Sequence, residues 1–232
     1  MIVGSGLLAR AFAPHAERLD GVCIYAAGVS NSSCVDATEF ERDRVRLEKA
    51  IAELPPSMQI VYFSTCSVHD PWSQSKAYTR HKVEMENLVR THTNHLVVRL
   101  PQIAGSTPNP HTLLNYLYNR IVRSERFELW QRATRNIIDV VDVANVVGDL
   151  LRNTPMQSAT VNVANARSVP LPEIVSAFEA ATGRKAVFHT VDRGGDFPID
   201  VSPITESLQR CGVHFDDGYL NRTIERYYGR HR

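Results

Sequence analysis

The chain has 232 residues, of which 43% are hydrophobic and 22% charged, with a formal net charge of +1. This length is enough to bury the core of one domain, or of one domain and a smaller lobe. The apolar content argues against a disordered chain. The near-neutral charge argues against nucleic-acid binding, which requires a strongly basic face.

The cysteines, the histidines and the N-terminus argue against three further classes of protein. The cysteines have no C-x-x-C spacing and the histidines form no H-x-x-x-H or His/Cys cluster, so we expect reduced thiols and no metal site. The N-terminal apolar run lacks a basic region and is interrupted by Arg10, and no apolar stretch reaches membrane-spanning length. We therefore expect a soluble, cytoplasmic protein without membrane insertion.

Short β-rich runs and helical patterns alternate along the chain. The runs typical of strands cover residues 1–3, 22–28, 60–65, 96–100 and 160–164. The helical patterns cover residues 7–18, 37–54, 75–92, 111–124, 141–152 and 171–182. This alternation predicts parallel strands joined by crossover helices, and strands that are apolar on both faces predict helices on each side. The expected fold class is α/β, a doubly wound parallel sheet.

The first strand-to-helix turn, "MIVGSGLLARAF", has the spacing G-x-G-x-x-A. Gly4 permits a tight turn, Gly6 lets the backbone approach a pyrophosphate, and Ala9 lets helix and strand pack closely. The free N–H groups at the start of the helix favour phosphate. The turn therefore favours dinucleotide binding, with close packing alone as the alternative. An acid is expected about 20 residues later to hold the adenosine ribose. It is missing here, and the second strand ends in small polar residues instead.

From Pro101, and again after about Arg167, the long strand and helix patterns give way to short segments and loops. "PQIAGSTPNP" is punctuated by proline and glycine, and "SVPLPEIVSAF" and "DRGGDFPIDVSP" read as short pieces. We expect residues 101–135 plus 167–232 to form a small C-terminal lobe over the carboxyl ends of the strands. The larger part would comprise residues 1–100 plus about 136–166.

A tyrosine and a lysine stand four residues apart in "SKAYTRHKVEMENL". Residues i and i+4 share one face of a helix, so Tyr78 and Lys82 point to the same side. Taken alone, such a pair is more typical of the polar face of an amphipathic helix. Here it follows "IVYFSTCSVHD", a strand that ends in a Ser/Thr-rich turn. This order of segments favours a catalytic pair.

In that context the chain resembles the extended short-chain dehydrogenase/reductases, the sugar-nucleotide epimerase and dehydratase group. The resemblance covers nearly the whole chain. Besides the glycine turn it includes "IYAAGVSNS", "YFSTCSV", "YTRHK", "VVRLPQIAG", "TRNIIDVVDVANVV", "VNVANARSVPLPEIV" and "RGGDFPIDVSP". It implies that the larger part is a Rossmann-like dinucleotide-binding domain for NAD or NADP. It also implies that the lobe binds a nucleotide-sugar substrate.

The resemblance also implies the site residues. The cofactor contacts would be Gly4, Gly6, Leu7, Leu8, Ala9, Ala26, Gly28, Tyr78, Lys82 and Pro101. Tyr78 would be the acid/base of a hydride transfer, its pKa lowered by the ammonium of Lys82. Thr65 would hydrogen-bond the reacting oxygen of the substrate, although a threonine here is also typical of an ordinary strand-end turn.

Two arginines match family residues that contact the nucleotide half of the substrate. Arg135 in "TRNIIDV" resembles the arginine that grips the diphosphate, and Arg193 in "RGGDFP" resembles a second such residue. The planar guanidinium group suits phosphate. Each is equally interpreted as a surface arginine. Trp130 in "FELWQ" is interpreted as a buried aromatic of the lobe rather than a base-stacking residue.

The chain departs from the family pattern in its first half. "IYAAGVSNS" resembles the fourth strand of the family but follows the first helix directly, so the second and third strands are expected to be missing. Because crossovers are overwhelmingly right-handed, we expect one of two outcomes. Either the first helix has moved to the other face of the sheet, or "VCIYAAG" occupies the position of the second strand.

Three side chains near the expected site also depart from the family. Cys66 and Ser67 stand where dehydratases have an acidic pair, which disfavours dehydration, and Cys66 is one place from the cysteine of some epimerase-reductases. Arg44 stands about where the family often has asparagine, which weakens the inference of a proton relay.

Three functions remain open at this point. The first is an NAD(P)-dependent epimerase or oxidoreductase acting on a nucleotide-sugar, serving surface polysaccharide synthesis. The second is a non-catalytic relative that acts as a nucleotide-binding or scaffold protein. The third is a nucleotide-binding module of an oligomer, since the resemblance implies a homodimer through the helices 37–54 and 75–92, and their apolar stripes permit it. The sugar, the nucleotide, the choice of NAD or NADP and the direction of reaction stay undetermined.

Overall fold

The computed structural model of the protein describes residues 1–154 and 156–229, so Pro155 and the last positions of the expected lobe, 230–232, lie outside the described residues. The strands are β1 (Ile2–Val3), β2 (Val22–Tyr25), β3 (Gln59–Thr65), β4 (His95–Leu100), β5 (Gln102–Ala104), β6 (Phe127–Trp130), β7 (Thr134–Arg135), β8 (Ile137–Asp139), β9 (Ala159–Asn162), β10 (Val169–Pro170) and β11 (Phe188–Val191).

The helices largely follow the sequence patterns. They are α1 (Leu7–Phe12), α2 (Ala37–Glu53), α3 (Ala77–Val89), α4 (Leu113–Val122), α5 (Val140–Asn153), α6 (Leu171–Thr182), α7 (Thr205–Arg210) and α8 (Tyr219–Tyr228). The pattern 7–18 is the main difference, because the α-helix stops at Phe12 and a 3₁₀ helix covers Ala13–Arg18. Pro14 explains the stop, since it has no N–H to donate back along the helix. Within the described part of the chain no helix is long and apolar enough to cross a membrane.

The central sheet has five parallel strands in the order β1-β2-β3-β4-β9. Ile24 of β2 and Phe63 of β3 face a core shared with α1 and α5. Their chain neighbours Tyr25 and Tyr62 face the opposite core, with α2 and α3. Helices therefore cover both faces, and the predicted doubly wound parallel sheet is confirmed.

The connection from β1 to β2 has an unusual hand. Helices α1 and α2 lie on opposite faces, yet β1-α1-β2 and β2-α2-β3 each step one strand in the same direction. The two connections therefore have opposite hands, and one of them is left-handed, against the strong preference of parallel crossovers.

Neither outcome expected from the sequence is found. α1 lies on the face opposite α2, and β2 lies between β1 and β3 instead of on the outer side of β1. On the α2 face, Leu47 already packs against β2 and Val3. Phe12 of α1 is fully buried, with its ring 5.4 Å from that of Phe63. Moving α1 would empty one core and overfill the other.

A separate apolar core lies in the C-terminal half. It joins Leu114 of α4, Phe127 of β6, Phe178 of α6 and Ile224 of α8. Strands β6 and β11 pair in parallel beside it, away from the central sheet. This core consists mainly of residues assigned from the sequence to the small lobe, while the exact domain boundaries stay a prediction.

Candidate active site

A cavity of about 550 Å³ opens at the carboxyl ends of β1, β2 and β3. Its walls include the start of α1, the β2–α2 loop, the end of β3 and one face of α3. The expected cofactor contacts that line it are Gly6, Leu7, Leu8, Ala26, Gly28, Tyr78, Lys82 and Pro101. Gly4 and Ala9 are not among the lining residues.

The glycine turn needs its two glycines for different reasons. Gly4 has a φ of +121°, and a Cβ there would lie 2.5 Å from the carbonyl oxygen of Ala26. A side chain would therefore push the turn away from β2. A Cβ on Gly6 would meet no atom within 4 Å, so this glycine leaves open space at the start of α1. Ala9 is buried under the turn, as close helix–strand packing requires.

Lys82 is buried in the floor of the cavity. Its Nζ donates hydrogen bonds to the hydroxyl of Tyr62 at 3.1 Å and to the carbonyl oxygen of Phe63 at 2.9 Å. A Cβ on Gly28 would lie 3.1 Å from this nitrogen, so a larger residue would displace it. Burial lowers the pKa of Lys82 to about 8, although Asp43 and Glu86 act in the opposite direction.

Tyr78 lines the same cavity, but its phenol is less acidic than a free one. Burial raises its pKa well above the ordinary value, and the negative charge of Asp43 raises it further. The ammonium of Lys82 lies 6.0 Å from the centroid of the Tyr78 ring. The expectation that Lys82 lowers the pKa of Tyr78 is wrong for this structure. Burial disfavours the phenolate, and Lys82 is bound to other oxygens.

The end of β3 turns sharply at the third side of the cavity. Thr65 is buried and its Oγ1 accepts a hydrogen bond from the backbone N–H of Ser67 at 3.1 Å, so it caps the turn while lining the cavity. Cys66 is buried, and burial raises the pKa of its thiol to about 12. A thiol with this pKa stays protonated near neutrality and is a poor nucleophile or base.

A second cavity of about 390 Å³ adjoins the first and extends towards the C-terminal half. Six residues line both cavities: Ser32, Ser67, Tyr78, Pro101, Gln102 and His111. Arg135 lines only the second, where its guanidinium donates to the carbonyl oxygen of Thr134 at 2.6 Å. Burial lowers the pKa of Arg135 against the attraction of Asp70, so a cation is held in this partly enclosed space.

Arg193 and Trp130 lie elsewhere. Arg193 is exposed and does not line either of these two cavities, although its loop contacts the strand of Arg135. In that loop Gly194 has a φ of +94°, and a Cβ there would lie 2.6 Å from the side chain of Ala133. Trp130 is partly buried and packs against the C-terminal core, as the sequence interpretation expects of a lobe aromatic.

The residue of α2 that faces the site is Asp43, not Arg44. Arg44 points outward and forms ion pairs with Glu41 and Glu48. Asp43 is buried against α3 and bonds to His81. The sequence analysis missed this pair. The available signal was periodicity, because Asp43 and Leu47 are the buried positions of α2 and are four residues apart.

Arg10 is a second residue that the sequence analysis missed. It lines the first cavity and donates to the carbonyl oxygens of Ser5 at 3.1 Å and Ser106 at 3.0 Å. It thereby joins the glycine turn to the loop that follows β5. Asn109 of the same loop donates to the hydroxyl of Ser30 at 3.1 Å. The loop thus contacts two walls of the cavity, a relationship that only long-range contacts reveal.

The described residues contain no cluster of three or more His, Cys, Asp or Glu side chains that would hold a metal ion.

One family model matches residues 5–164 of the chain, and its description is NAD dependent epimerase/dehydratase family. No curated protein sequence is similar enough to count as a relative. The matched range includes Gly6 and Ala9 of the glycine turn, helix α3 with Tyr78 and Lys82, and strand β7 with Arg135.

Solved structures support the same fold. MoeE5 in complex with UDP-glucose and NAD has a TM-score of 0.68 at 17% identity, over 88% of this chain and 77% of that chain. UDP-glucuronic acid 4-epimerase from Bacillus cereus in complex with NAD has a TM-score of 0.68 at 14% identity, over 91% and 73%. RMD from Pseudomonas aeruginosa complexed with NADPH has a TM-score of 0.67 at 15% identity, over 97% and 94%.

Proposed function

The chain belongs to the NAD dependent epimerase/dehydratase family, and we propose that it is an NAD(P)-dependent epimerase or reductase of nucleotide-linked sugars. The observation that carries the proposal is the position of Tyr78, which lines both cavities. One contains the glycine turn and Lys82, and the other contains Arg135. A proton-transferring group between a cofactor cavity and a substrate cavity suits this reaction class.

The cavity residues suit two parts of a dinucleotide, the pyrophosphate and the ribose next to the nicotinamide. The open space at Gly6 and the N–H groups that start α1 suit the pyrophosphate. Lys82 would bind the ribose next to the nicotinamide. At the adenosine end, the acid that would bind the ribose is missing from its usual place. The proposal therefore includes both NAD and NADP as cofactors. When bound, the nicotinamide would accept or return the hydride.

The chain's own residues would hold and move the proton. Because its pKa is raised, Tyr78 keeps its proton near neutral pH and would donate it to the carbonyl oxygen when a sugar ketone is reduced. The oxidation that begins an epimerisation would instead need its phenolate as the base. The hydroxyl of Tyr78 would exchange its proton with the reacting oxygen of the sugar. Thr65 would orient the same oxygen through its Oγ1. Lys82 would hold the cofactor through its ammonium.

The substrate cavity suits a phosphate-linked sugar. Arg135 would bind the diphosphate through its planar donors. Arg193 is retained as a second diphosphate contact, since its loop adjoins the strand of Arg135. Cys66 and Ser67 replace the acidic pair that elimination needs, which favours epimerisation or reduction over dehydration. The lobe of residues 101–135 plus 167–232 would supply substrate contacts.

The alternative function is a non-catalytic, nucleotide-binding or scaffold protein. It is favoured by the absence of two strands and of the ribose-binding acid. A high pKa of Tyr78 is compatible with it. We also retain a cytoplasmic location and a role in polysaccharide synthesis as predictions.

A homodimer through α2 and α3 is also proposed. Val45 of α2 and Val83 of α3 are exposed apolar side chains that such a dimer would bury. Light scattering after size exclusion measures the state directly, and a monomer at all concentrations would contradict the proposal.

Cofactor binding and turnover test the function together. NADH and NADPH are titrated by fluorescence, and turnover is followed with UDP-glucose and UDP-glucuronic acid, which are present in complexes of a similar structure. We expect Tyr78→Phe to bind cofactor like the wild type and to lose about 10²–10⁴-fold in turnover. Absence of binding up to millimolar cofactor would favour the alternative. Unchanged turnover in Tyr78→Phe would reject the mechanism.

A further inference from the structure

Asp43 is a buried carboxylate behind the floor of the cofactor cavity. Its side chain is 2% exposed, and that of its partner His81 is 4% exposed. Oδ2 faces His81 Nε2 at 2.9 Å and accepts from the backbone N–H of Val29 at 3.2 Å. Oδ1 is buried without a partner at hydrogen-bond distance among the residues that the structure describes, although the buried hydroxyl of Tyr25 also interacts with Asp43. A buried carboxylate with so few partners is costly unless a nearby cation compensates it.

His81 bonds to Asp43 directly, and the lysine whose charge also acts on Asp43 is Lys82. A Cβ on Gly28 would lie 3.1 Å from Lys82 Nζ and 3.7 Å from Asp43 Oδ2, so both groups lie against the bare Cα of Gly28, without forming a direct ion pair in the described structure. The direct acceptors of Lys82, Tyr62 Oη and the Phe63 carbonyl, are both uncharged. Neutral dipoles alone compensate a buried ammonium poorly.

The other carboxylate that acts on Lys82 is Glu86, one turn further along α3. Glu86 is fully buried and receives hydrogen bonds from Arg99, Arg90 and Ser64. Two guanidinium groups therefore already balance its charge. Asp43 has no arginine partner among the described residues, so its charge is available to Lys82.

We propose that Asp43, held in place by His81, is the counter-charge that keeps Lys82 an ammonium at the floor of the cavity. Asp43 is thus a positioning residue that acts through Lys82. Only one step of this role rests on the proposed function, namely that the ammonium of Lys82 binds the cofactor. An amide at this place would supply no negative charge.

The pH dependence follows from the groups around the pair. Those groups are Tyr25 on β2, Tyr62 on β3, Arg46 on α2, and Tyr78, His81 and Glu86 on α3. Burial alone would raise the pKa of Asp43, but the bond from His81 and the charge of Lys82 hold it below its usual range. Asp43 is therefore ionised throughout the range in which Lys82, with a pKa of about 8, loses its proton.

The protonation state of Lys82 can be measured without any ligand. The lysines of the chain are Lys49, Lys76, Lys82 and Lys185. Labelling at ¹³Cε therefore yields few signals, and Lys82→Arg identifies the one from Lys82. In the wild type we expect its titration midpoint near pH 8. In Asp43→Asn we expect the midpoint to fall by about one pH unit, because an opposite charge has been removed.

The matched control is Asp149→Asn. Asp149 is also buried and is bound by Arg210, but it lies on α5, across the sheet from α3. The substitution removes the same charge and should leave the Lys82 midpoint unchanged. A purely structural role of Asp43 would lower the melting temperature and leave the midpoint in place, which would overturn the proposal.

Two variants of His81 keep the test decisive if Asp43→Asn does not fold. His81→Phe removes the partner that holds Asp43 in place, so the carboxylate can turn away from Lys82 and the midpoint of Lys82 should fall. His81→Gln retains a side-chain donor and should restore it. Equal midpoints in wild type, His81→Phe and His81→Gln would also overturn the proposal.

Cofactor titration separates this proposal from the proposed function. Asp43→Asn should bind NADH and NADPH more weakly than wild type at pH 7.5, with the difference closing at lower pH as Lys82 regains its proton. If no protein in the series binds cofactor while the Lys82 midpoint still shifts, the counter-charge stands and the proposed function fails.

Discussion

The ammonium of Lys82 donates a hydrogen bond to the hydroxyl of Tyr62 across 3.1 Å. Tyr62 is fully buried on β3, and its ring centroid is 4.8 Å from the same nitrogen. Lys82 is therefore anchored to the sheet before any ligand arrives. In the proposed function, the remaining proton of its ammonium would donate to a ribose hydroxyl of the cofactor.

Tyr62→Phe tests this anchor. The ring still fills its place in the core, but Lys82 loses one of its two acceptors. We expect a loss of about 2 kcal/mol in the free energy of unfolding, because hydrogen bonds to charged groups are worth more than neutral ones. Urea unfolding measures it. Tyr116→Phe, at a partly exposed ring, is the control and should change stability little. Equal stability of both variants would contradict the anchor.

Gly4→Ala and Gly6→Ala should have different consequences. At Gly4 the positive φ and the 2.5 Å approach to Ala26 make a side chain incompatible with the turn, so we expect a loss of about 1–3 kcal/mol in stability. At Gly6 the added methyl group meets open space, so the fold should be retained while cofactor affinity falls. Thermal melts and NADH titrations on both variants measure these effects. A destabilised Gly6→Ala would contradict the prediction, because it would show that the absence of a side chain at Gly6 is needed for the fold.

Arg135→Ala should weaken substrate binding more than Arg193→Ala. Arg135 lines the second cavity and is partly enclosed, whereas Arg193 is exposed and outside its lining. Losing charge-assisted bonds to a diphosphate should raise KM by about tenfold or more at Arg135. Steady-state kinetics, or calorimetry with UDP alone, compare the two. The reverse order would assign the diphosphate to the Arg193 loop.

The thiols should react in two classes. Cys34 and Cys211 are partly exposed, whereas Cys23 and Cys66 are buried. Burial also raises the pKa of Cys66 to about 12, so little thiolate forms near neutrality. Ellman's reagent should therefore modify Cys34 and Cys211 quickly and spare Cys66 until the chain unfolds. Peptide mapping identifies the sites. Fast labelling of Cys66 would reopen a role for it in proton transfer.

Features set by local pattern were predictable from the sequence. The alternation of strands and helices predicted the doubly wound parallel sheet, and the spacing of Gly4, Gly6 and Ala9 predicted the first turn. Tyr78 and Lys82 were predictable as a pair because four residues of helix place them on one face. Each inference needs only a short segment and the periodicity of its backbone.

Features set by distant contacts were decided only by the tertiary structure. The opposite hands of the first two crossovers depend on which core has room for Phe12. The choice of Asp43 over Arg44 depends on which face of α2 meets α3. The direction of the pKa change at Tyr78 depends on how much burial disfavours its phenolate and on a carboxylate 35 residues earlier in the chain. The burial of a group and the charges that act on it depend on its neighbours in space. The spacing of residues along the chain does not specify those neighbours.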